Sequence, residues 1–378
     1  MKKTLILLFA CASLQTFAQT PYIPVNPHRV LIGAFPFQNF TYDARSAALA
    51  EAGVAISPDA NSSWMNPAKL VFLDSTQNTK KGIGVHYTPY YRNLIEGMNF
   101  YGLNAFRAKG KSTYGTNIKY FDAGTVEMIA QKGVIPTLFK SKEYSITGFY
   151  GRQIGKKNSL AIGLKYTYSH LANQGIKAAN ALAGDIYYFH NGKIGREEKN
   201  SWRNYGLALT NIGGKVEYGD YKKRSFQPTL LKVGVAQNIQ FSKKSRLMLT
   251  VDANKLLVPT PPIRDTNNQV LKGKDETQIS GIGTIFQSWT TAPDGLKETI
   301  REVYYCMGAE LQIRQLLALR AGYYTQNKLK GDIHYFSIGA GLKLKGFGLD
   351  AAYLFPNLRN EVLKNTFRIS LNYQRLNH

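Results

Sequence analysis

The side chains that most often perform catalysis or bind metals are scattered along this sequence. The chain has 378 residues with six histidines and two cysteines, and none of these residues recurs at the short spacings that metal sites use. No Gly-x-Ser-x-Gly turn, which presents a catalytic serine in many hydrolases, occurs. The sequence therefore predicts no catalytic site, no metal site and no cofactor. The histidines and cysteines considered are His28, His86, His170, His190, His334, His378, Cys11 and Cys306.

A group of charged residues lies closer together, in an N-terminal stretch rich in small side chains. Asp43 and Arg45 are followed by Asp59 and Lys69, so acids and bases share one short segment. Charges arranged in this way are more often structural ion pairs than functional groups. We therefore expect these four side chains to fix the position of the segment that carries them.

The surrounding segment, 42–73, is expected to be irregular with short helical pieces. Ser57-Pro58 has the residue types of a helix start, with Ser57 as the N-cap and proline in the first turn. Asn66-Pro67 predicts a second turn or helix entry by the same reasoning. Such a segment needs a larger scaffold to hold it in place.

Alternating side chains dominate the rest of the chain, most clearly from 333 to 373. Phe336, Ile338 and Ala340 are separated by small or polar residues, and a period of two places the two sets on opposite faces of a strand. An even number of strands with one apolar face is typical of an outer-membrane β-barrel. About fourteen antiparallel strands are predicted, near 82–91, 98–109, 112–122, 142–153, 158–169, 180–190, 201–212, 228–240, 245–253, 302–313, 316–325, 333–344, 346–355 and 364–374.

The N-terminus predicts export. Lys2 and Lys3 precede an apolar run, and small residues follow it up to Ala18. A basic start, a short apolar run and a small-residue cleavage site make a signal peptide, which we expect to be cleaved after Ala18. The fold class predicted is thus an all-β membrane protein located in the outer membrane, with a signal peptide at 1–18 and the barrel at 81–378.

Basic residues exceed acidic ones by 48 to 24, a net charge of +24. Such an excess can indicate nucleic-acid binding. The lysines here, however, are spread over predicted turns such as Lys156-Lys157 and Lys243-Lys244. The pattern therefore favours contact with anionic lipid headgroups or an acidic partner, or simply solvated turns, and it predicts no nucleic-acid partner.

Seven motif-bearing stretches follow one another along the chain, at 43–46, 52–62, 66–69, 87–90, 226–229, 254–261 and 283–288. This ordered set resembles the PorV (LptO) family, the outer-membrane subunit of the type IX secretion system, within the wider FadL-like barrels. The resemblance extends over nearly the whole mature chain. The chain has Ala47-Ala48-Leu49-Ala50 where the family pattern leads us to expect a glycine-rich run, and alanine favours helix more than glycine does.

The resemblance implies a fourteen-stranded barrel whose N-terminal part, within 19–80, is an extended segment followed by a plug in the lumen. It also implies a protein that is not an enzyme. In that family the barrel binds cargo through the cargo's C-terminal secretion domain, pairs with a large translocon barrel and passes cargo to a sortase-bearing attachment complex. The plug motif would comprise Asp43, Arg45, Gly53, Pro58, Asp59, Asn61, Asn66, Pro67 and Lys69.

The long connection at about 255–301 is the candidate contact surface for a partner. Prolines stiffen it, which lowers the cost of ordering on binding, although a loop that merely folds over the barrel mouth fits the sequence equally well. An alternative function is a FadL-like channel for uptake of hydrophobic small molecules, and a third is a soluble exported β-protein. The candidate contact residues are Leu256, Leu257, Val258, Pro259, Pro261, Phe286, Gln287 and Trp289.

Overall fold

The fold is a closed barrel of fourteen antiparallel strands, as predicted. The computed structural model describes residues 29–73, 79–90, 97–128, 137–170, 177–194, 200–218, 224–357 and 366–376, so the predicted signal peptide lies outside the described residues. The first strand pairs with both the second and the last, and this pairing closes the sheet. The barrel strands are β1 (Thr79–Pro89), β2 (Met98–Lys109), β3 (Ser112–Met128), β4 (Thr137–Gln153), β5 (Asn158–His170), β6 (Ala179–His190), β7 (Ser201–Gly213), β10 (Leu230–Ser242), β11 (Ser245–Leu256), β14 (Val303–Ile313), β15 (Leu317–Thr325), β16 (His334–Leu344), β17 (Phe347–Pro356) and β18 (Phe367–Leu376).

The alternation of side chains turns the barrel inside out relative to a soluble protein. Outward positions such as Ile162, Leu249 and Leu342 are apolar and exposed, whereas inward positions such as Ser145 and Asn204 are polar and buried. Closure leaves no unpaired strand edge, so the backbone groups of the sheet bond to one another. The result is an apolar exterior suited to lipid and a polar lumen.

The two ends of the barrel differ in the length of their connections. Five turns at one end contain two to four residues, for example Lys243-Lys244 between β10 and β11. The longest connection, 257–302, joins β11 to β14 at the other end. Because short turns face the periplasm and long loops face outward in such barrels, we call these ends the periplasmic mouth and the extracellular mouth.

An N-terminal segment crosses the lumen between the two mouths. It contains 3-10 helices at Pro36–Asn39, Ala60–Trp64 and Pro67–Phe72, and a short α-helix, α1 (Ala44–Ala48). The helix α1 contacts β15 to β18, whereas the last 3-10 helix contacts β4 to β6 on a different part of the wall. The part from 41 to 73, here called the plug, therefore spans the width of the barrel.

The long connection 257–302 is ordered and has its own small elements. It contains the hairpin of β12 (Ile263–Arg264) and β13 (Val270–Lys272), a 3-10 turn at Glu276–Gln278 and two short helices. These helices are α2 (Thr284–Gln287) and α3 (Leu296–Arg301). Among the described residues no helix has the length and apolar character needed to cross a membrane. A second hairpin, β8 (Val216–Glu217) with β9 (Arg224–Ser225), and a 3-10 turn at Lys328–Lys330 complete the described elements.

Candidate functional site

The plug is built from capped short helices. The Asp43 carboxylate caps α1 by accepting from the Ser46 amide at 2.8 Å. Asn66 caps the following 3-10 helix by accepting from the Ala68 amide, and Pro67 occupies its first turn. The predicted helix entry at Asn66-Pro67 is thus confirmed. Capping satisfies amide groups that would otherwise be unpaired inside the barrel.

The other predicted helix start, with Ser57 as N-cap, lies two residues before the observed one. The 3-10 helix begins at Ala60 with Asp59, and not Ser57, as its N-cap. The Ser62 hydroxyl donates to the Asp59 carboxylate and accepts from the Asp59 amide, both at 2.9 Å. Ser57 is instead a hydrogen-bond acceptor for guanidinium groups, and proline at 58 comes before the helix and not within its first turn. The Ser57 hydroxyl is bound by Arg45 and Arg246, and Asp59 forms the capping box with Ser62 instead.

Arg45 joins the plug to the barrel wall. Its guanidinium lies 3.0 Å from the Asp59 carboxylate within the plug and 2.7 Å from the Glu310 carboxylate on β14. Glu310 also binds Arg320 at 2.8 Å, and Arg320 in turn binds Asp350 at 2.7 Å. The chain of alternating charges runs from the plug to β14, then to β15, and across β16 to β17. Buried charges paired in this way are costly to break, because removal of one partner leaves the other uncompensated.

Asp43 and Lys69, the other two charges singled out from the sequence, bind inside the plug itself. The Lys69 ammonium donates to the Gly53 carbonyl at 2.7 Å, while Asp43 is occupied as a helix cap. Burial raises the pKa of Asp43 to about 6, with the charge of Asp59 adding to the effect. Burial lowers the pKa of Lys69 to about 8, partly opposed by Asp59. Burial alone would raise the pKa of Asp59, but the charges of Arg45 and Lys69 outweigh it and hold that pKa below its usual value.

The other predicted plug residues fit the backbone of the plug to the wall. The amides of Gly53 and Val54 both donate to the Asp252 carboxylate, at 2.7 and 3.0 Å. Asn66 donates to the carbonyls of Val54 and Tyr188. Asn61 is fully buried and Pro58 lines a cavity at the periplasmic mouth. The plug motif therefore lies together within the lumen.

Glycines on the wall make room for the plug. A Cβ atom on Gly206 would lie 2.1 Å from the Val54 carbonyl oxygen, and one on Gly322 would lie 2.4 Å from the Leu49 carbonyl carbon. Both distances are shorter than van der Waals contact. The wall thus carries no side chain at the points where the plug backbone approaches most closely.

Several wall residues that bind the plug were not singled out from the sequence. Arg368 on β18 stacks over Phe40 at 4.2 Å and donates to the Thr41 carbonyl at 2.8 Å. Asp252, Glu310 and Arg368 all lie on the inward face of strands whose outward neighbours are apolar. These residues could have been found from the sequence, because a charged residue within an alternating apolar strand must point into the lumen.

An ion cluster closes the extracellular mouth. Arg29 binds Glu298 at 2.8 Å, and Lys330 binds both Glu298 and Glu302, at 2.7 and 2.9 Å. Glu302 also binds Lys255 at 2.5 Å. Burial would raise the pKa of Glu298, but hydrogen bonds from Arg29 and Lys330 outweigh it and lower that pKa to about 2. The cluster ties the long connection to the N-terminal segment and to the β15–β16 loop.

The predicted partner-contact residues divide into two sets. Leu257 and Val258 are fully buried, and Val258 packs with Ile279 and Phe226 under the loop. Phe286 is 79% exposed and lies on α2. Only part of the predicted set is therefore accessible in this conformation. Leu256 is half-buried, Pro259 is buried, and Pro261, Gln287 and Trp289 are exposed.

Apolar side chains gather on the outer surface of this connection. Phe286 on α2 is accompanied by Ile282 just before it and Trp289 just after it. On α3, Leu296 is 71% exposed and Ile300 is 59% exposed. We call these five residues the loop patch. Large apolar groups exposed together at the end of an otherwise polar loop mark a contact surface.

One cavity between plug and wall has a volume of about 50 Å³. Charged side chains such as Lys119, Lys165 and Asp185 line it together with the aromatic side chains of Tyr42 and Trp64. Its volume is well below the roughly 300–1,000 Å³ of a typical small-molecule pocket. Among the described residues no group of three or more histidine, cysteine or acidic side chains is arranged to bind a metal ion.

Solved structures confirm the barrel type. The chain resembles the toluene transporter TodX of Pseudomonas putida, with 12% identity, 93% of this chain and 100% of that chain covered, and a TM-score of 0.50. It resembles the monoaromatic hydrocarbon channel CymD with 11% identity, coverage of 89% and 98%, and a TM-score of 0.50. A FadL homologue of Pseudomonas aeruginosa matches with 12% identity, coverage of 88% and 98%, and a TM-score of 0.45. At these identities the similarity shows the fold alone.

Sequence comparison identifies the family. No curated protein gives a significant match. A family model described as type IX secretion system protein PorV matches residues 24–263, which is more than half of the chain. The match includes the plug and the strands β1 to β11 that surround much of it. Together with the closed, plugged barrel, it shows that this chain belongs to the PorV family of type IX secretion system proteins and is an outer-membrane component of that system.

Proposed function

We propose that this protein is a non-enzymatic docking barrel that binds secreted cargo through the cargo's C-terminal domain. It would hold that cargo between the large translocon barrel and the sortase-bearing attachment complex. The observation that carries the proposal is the loop patch, an exposed apolar surface on an anchored loop. Lipid of the outer membrane is then a structural partner, through the apolar exterior of the strands.

The loop patch has the composition of a binding surface. Phe286 and Leu296 are among the most exposed large apolar side chains of the described residues, at 79% and 71%. Aromatic anchors surrounded by smaller apolar groups supply most of the binding energy at protein interfaces. Trp289 contributes a second ring three residues after Phe286, with the Lys255 ammonium 5.3 Å from its centre, and its indole nitrogen donates to the Ile285 carbonyl. The patch is thus partly preorganised.

Anchoring supports the same proposal. Beneath the patch, Thr260 donates to the Glu302 carboxylate at 2.6 Å, and Lys255 and Lys330 bind the same side chain. The backbone of the connection 257–302 is therefore held in one conformation in the absence of a partner. A surface that is preformed binds with a smaller entropic cost than a flexible loop. This favours docking over the reading in which the connection merely covers the mouth.

The alternative function, uptake of a hydrophobic small molecule, requires different structural features. A channel of that kind requires an apolar pocket beside the plug. Two cavities beside the plug have volumes of about 50 and 190 Å³, below the roughly 300 Å³ of the smallest typical ligand pockets, and charged side chains such as Lys165 and Glu51 line them. The similarity to hydrocarbon channels concerns the fold, and fold does not determine function. Docking is therefore the function that the described residues support best.

The test combines two substitutions in the patch. Phe286→Ser with Leu296→Ser removes two exposed anchors without touching the buried residues of the loop. We expect the purified variant, in detergent, to lose at least about tenfold in affinity for a cargo C-terminal domain, since each interface anchor contributes about 1–2 kcal/mol or more. Binding is measured by surface plasmon resonance with the immobilised barrel.

Ile154→Ser is the matched control, because Ile154 is an exposed apolar residue in a turn at the periplasmic mouth. It should bind cargo like the unchanged protein. The proposal fails if the double variant binds cargo with unchanged affinity. Normal secretion by the variant together with lost uptake of toluene would favour the channel instead.

A further inference from the structure

A cavity of about 480 Å³ opens at the periplasmic mouth, on the opposite side of the plug from the loop patch. Its floor is formed by plug residues, including Ser57, Pro58 and Asp59. Its rim is formed by the short turns at 243–244, 314–316 and 345–346. We call this cavity the vestibule. Neither cargo docking nor anchoring in the membrane uses it.

The vestibule carries an excess of positive charge. Among the described residues, eight lysine and arginine side chains line it against three carboxylates, which leaves an excess of five positive charges. The three carboxylates are already bound by arginines. Asp59 pairs with Arg45, Glu310 pairs with Arg45 and Arg320, and Asp350 pairs with Arg320. The charges of the rim lysines Lys243, Lys244 and Lys345 are therefore not compensated by these acids.

The remaining lining is rich in groups that recognise peptide backbone. Seven asparagine and glutamine side chains line the vestibule. A carboxamide both donates and accepts hydrogen bonds, so it can pair with a peptide N–H and a peptide carbonyl. Arg246 also lines this wall, where its guanidinium donates to the Ser57 hydroxyl and pairs with Glu310 at 3.7 Å. The cations left for a ligand carboxylate are therefore the rim lysines, and a charge-assisted hydrogen bond from an ammonium to a carboxylate is stronger than a neutral one.

We propose that the vestibule binds an extended acidic peptide segment of a periplasmic protein. The rim lysines would bind its carboxylates, and the amides would bind its backbone. A positive concave surface with low-dielectric walls concentrates anionic ligands and accelerates their association. The protein then has a contact for a periplasmic partner that is separate from its extracellular cargo surface.

The geometry favours a peptide over a lipid headgroup. The vestibule lies inside the ring of strands, with Ser57, Pro58 and Asp59 as its floor. Lipid contacts the outward face of the same strands, where the side chains are apolar. A headgroup still attached to its bilayer would have to pass over the turns to enter. A soluble peptide end enters directly from the periplasm.

The test uses the purified full-length protein in detergent and two labelled peptides. Fluorescein-labelled hexaglutamate should bind more tightly than hexaglutamine in fluorescence anisotropy, and its affinity should fall as salt is added, because screening weakens such contacts. Lys243→Glu with Lys244→Glu should weaken hexaglutamate binding by about tenfold or more, since two favourable charges become repulsive.

Lys156→Glu with Lys157→Glu is the matched control. These are also adjacent lysines in a short turn at the same mouth, but they do not line the vestibule. The control should bind hexaglutamate like the unchanged protein. An equal loss in both variants overturns the proposal, because it would show a general charge effect. Equal binding of the two peptides, or full displacement of hexaglutamate by an equal concentration of inorganic phosphate, also overturns it.

A second measurement avoids substitutions altogether. Hexaglutamate carrying a benzophenone group is crosslinked to the unchanged protein by light, and the labelled residues are identified by mass spectrometry. Labels in the turns 243–244, 314–316 or 345–346 support the proposal. Labels confined to the connection 257–302 would show that the peptide binds at the other mouth, and the proposal would then be wrong.

Discussion

At the scale of single residues, two guanidinium groups hold the plug from opposite directions. Arg45 extends from the plug to Glu310 on the wall, and Arg368 extends from the wall to Thr41 on the plug. Arginine suits both positions because its planar group makes several hydrogen bonds and stacks on rings. Bonds of this kind fix one orientation of the plug, since any rotation would leave a buried charge unpaired.

The pKa of Lys69 gives a prediction about pH. Burial lowers this pKa to about 8 in the folded protein, whereas an unfolded lysine has a pKa of about 10.4. Between these values the unfolded plug binds more protons than the folded plug, so the free energy of unfolding of the plug rises as pH increases from about 8 to about 10.4. Hydrogen exchange of plug amides over this range, corrected for intrinsic exchange rates, measures the effect.

Lys69→Gln is the control for that experiment. The amide can still donate to the Gly53 carbonyl but does not titrate. Its plug should show no rise in protection over the same pH range. Equal pH dependence in both proteins would mean that another group is responsible.

The sequence does not predict which residues form ion pairs between the plug and the wall. Alternation shows that Glu310 and Arg368 face inward, because their neighbours along the strand are apolar. It does not show that Glu310 meets Arg45, which lies 265 residues away. That contact depends on the depth of the plug and on the register of the strands. Both are set by packing over the whole barrel.

At the scale of elements, the turn after α1 is strained. Ala50 and Glu51 have positive φ values of 53° and 72°, which non-glycine residues adopt at a cost. The family resemblance led us to expect glycines nearby, and the structure shows what their absence means. The helix α1 extends to Ala48, because alanine favours helix. The chain then reverses direction through Ala50 and Glu51, which adopt positive φ values although they are not glycines.

Ala50→Gly should therefore stabilise the plug. Relief of the left-handed strain is expected to raise its free energy of unfolding by about 1 kcal/mol. Local hydrogen exchange at the α1 amides measures the change. Ala47→Gly is the matched control, since this alanine lies within α1 and glycine there should destabilise by about 1 kcal/mol. A loss of protection in both variants would contradict the explanation by strain.

The strands were predictable because their pattern is simple. A side-chain period of two, with lipid on one side and a polar lumen on the other, is repeated in each strand. All fourteen predicted strands are present, and the strand at 98–109 has the predicted bounds. The ends of β3 and β4 extend beyond the prediction to Met128 and from Thr137. Pairing with a neighbour, and not alternation, determines where these two strands end.

At the scale of the whole molecule, the plug fits inside the barrel because glycines occupy the wall positions where its backbone approaches most closely. Gly206→Val should leave the barrel folded but displace the plug, because even a Cβ atom would lie 2.1 Å from the Val54 carbonyl oxygen. We expect faster hydrogen exchange at plug amides together with unchanged heat-modifiable migration in gels. Gly148→Val is the control, since nothing lies within 4 Å of a Cβ at that outward position. Unchanged plug protection in Gly206→Val would contradict the proposed fit.

The two mouths differ in chemistry as well as in shape. The extracellular mouth has an ion cluster in which Arg29, Lys255 and Lys330 are paired with acids, and it presents an apolar patch above them. The periplasmic mouth has an open vestibule with excess positive charge. The plug lies between the two. A protein of this form can meet different partners from its two sides.

The contacts of α1 also bear on the order of assembly. Its first amide, from Ala44, donates to the Ser370 hydroxyl on β18, which is 326 residues away along the chain, and its other contacts are with β15, β16 and β17. This N-terminal part of the chain thus finds its partners in the last strands of the sequence. Once β18 has paired with β1, no gap in the wall remains for a polar segment to enter from the side. Seating of α1 and closure of the barrel therefore belong to one late step.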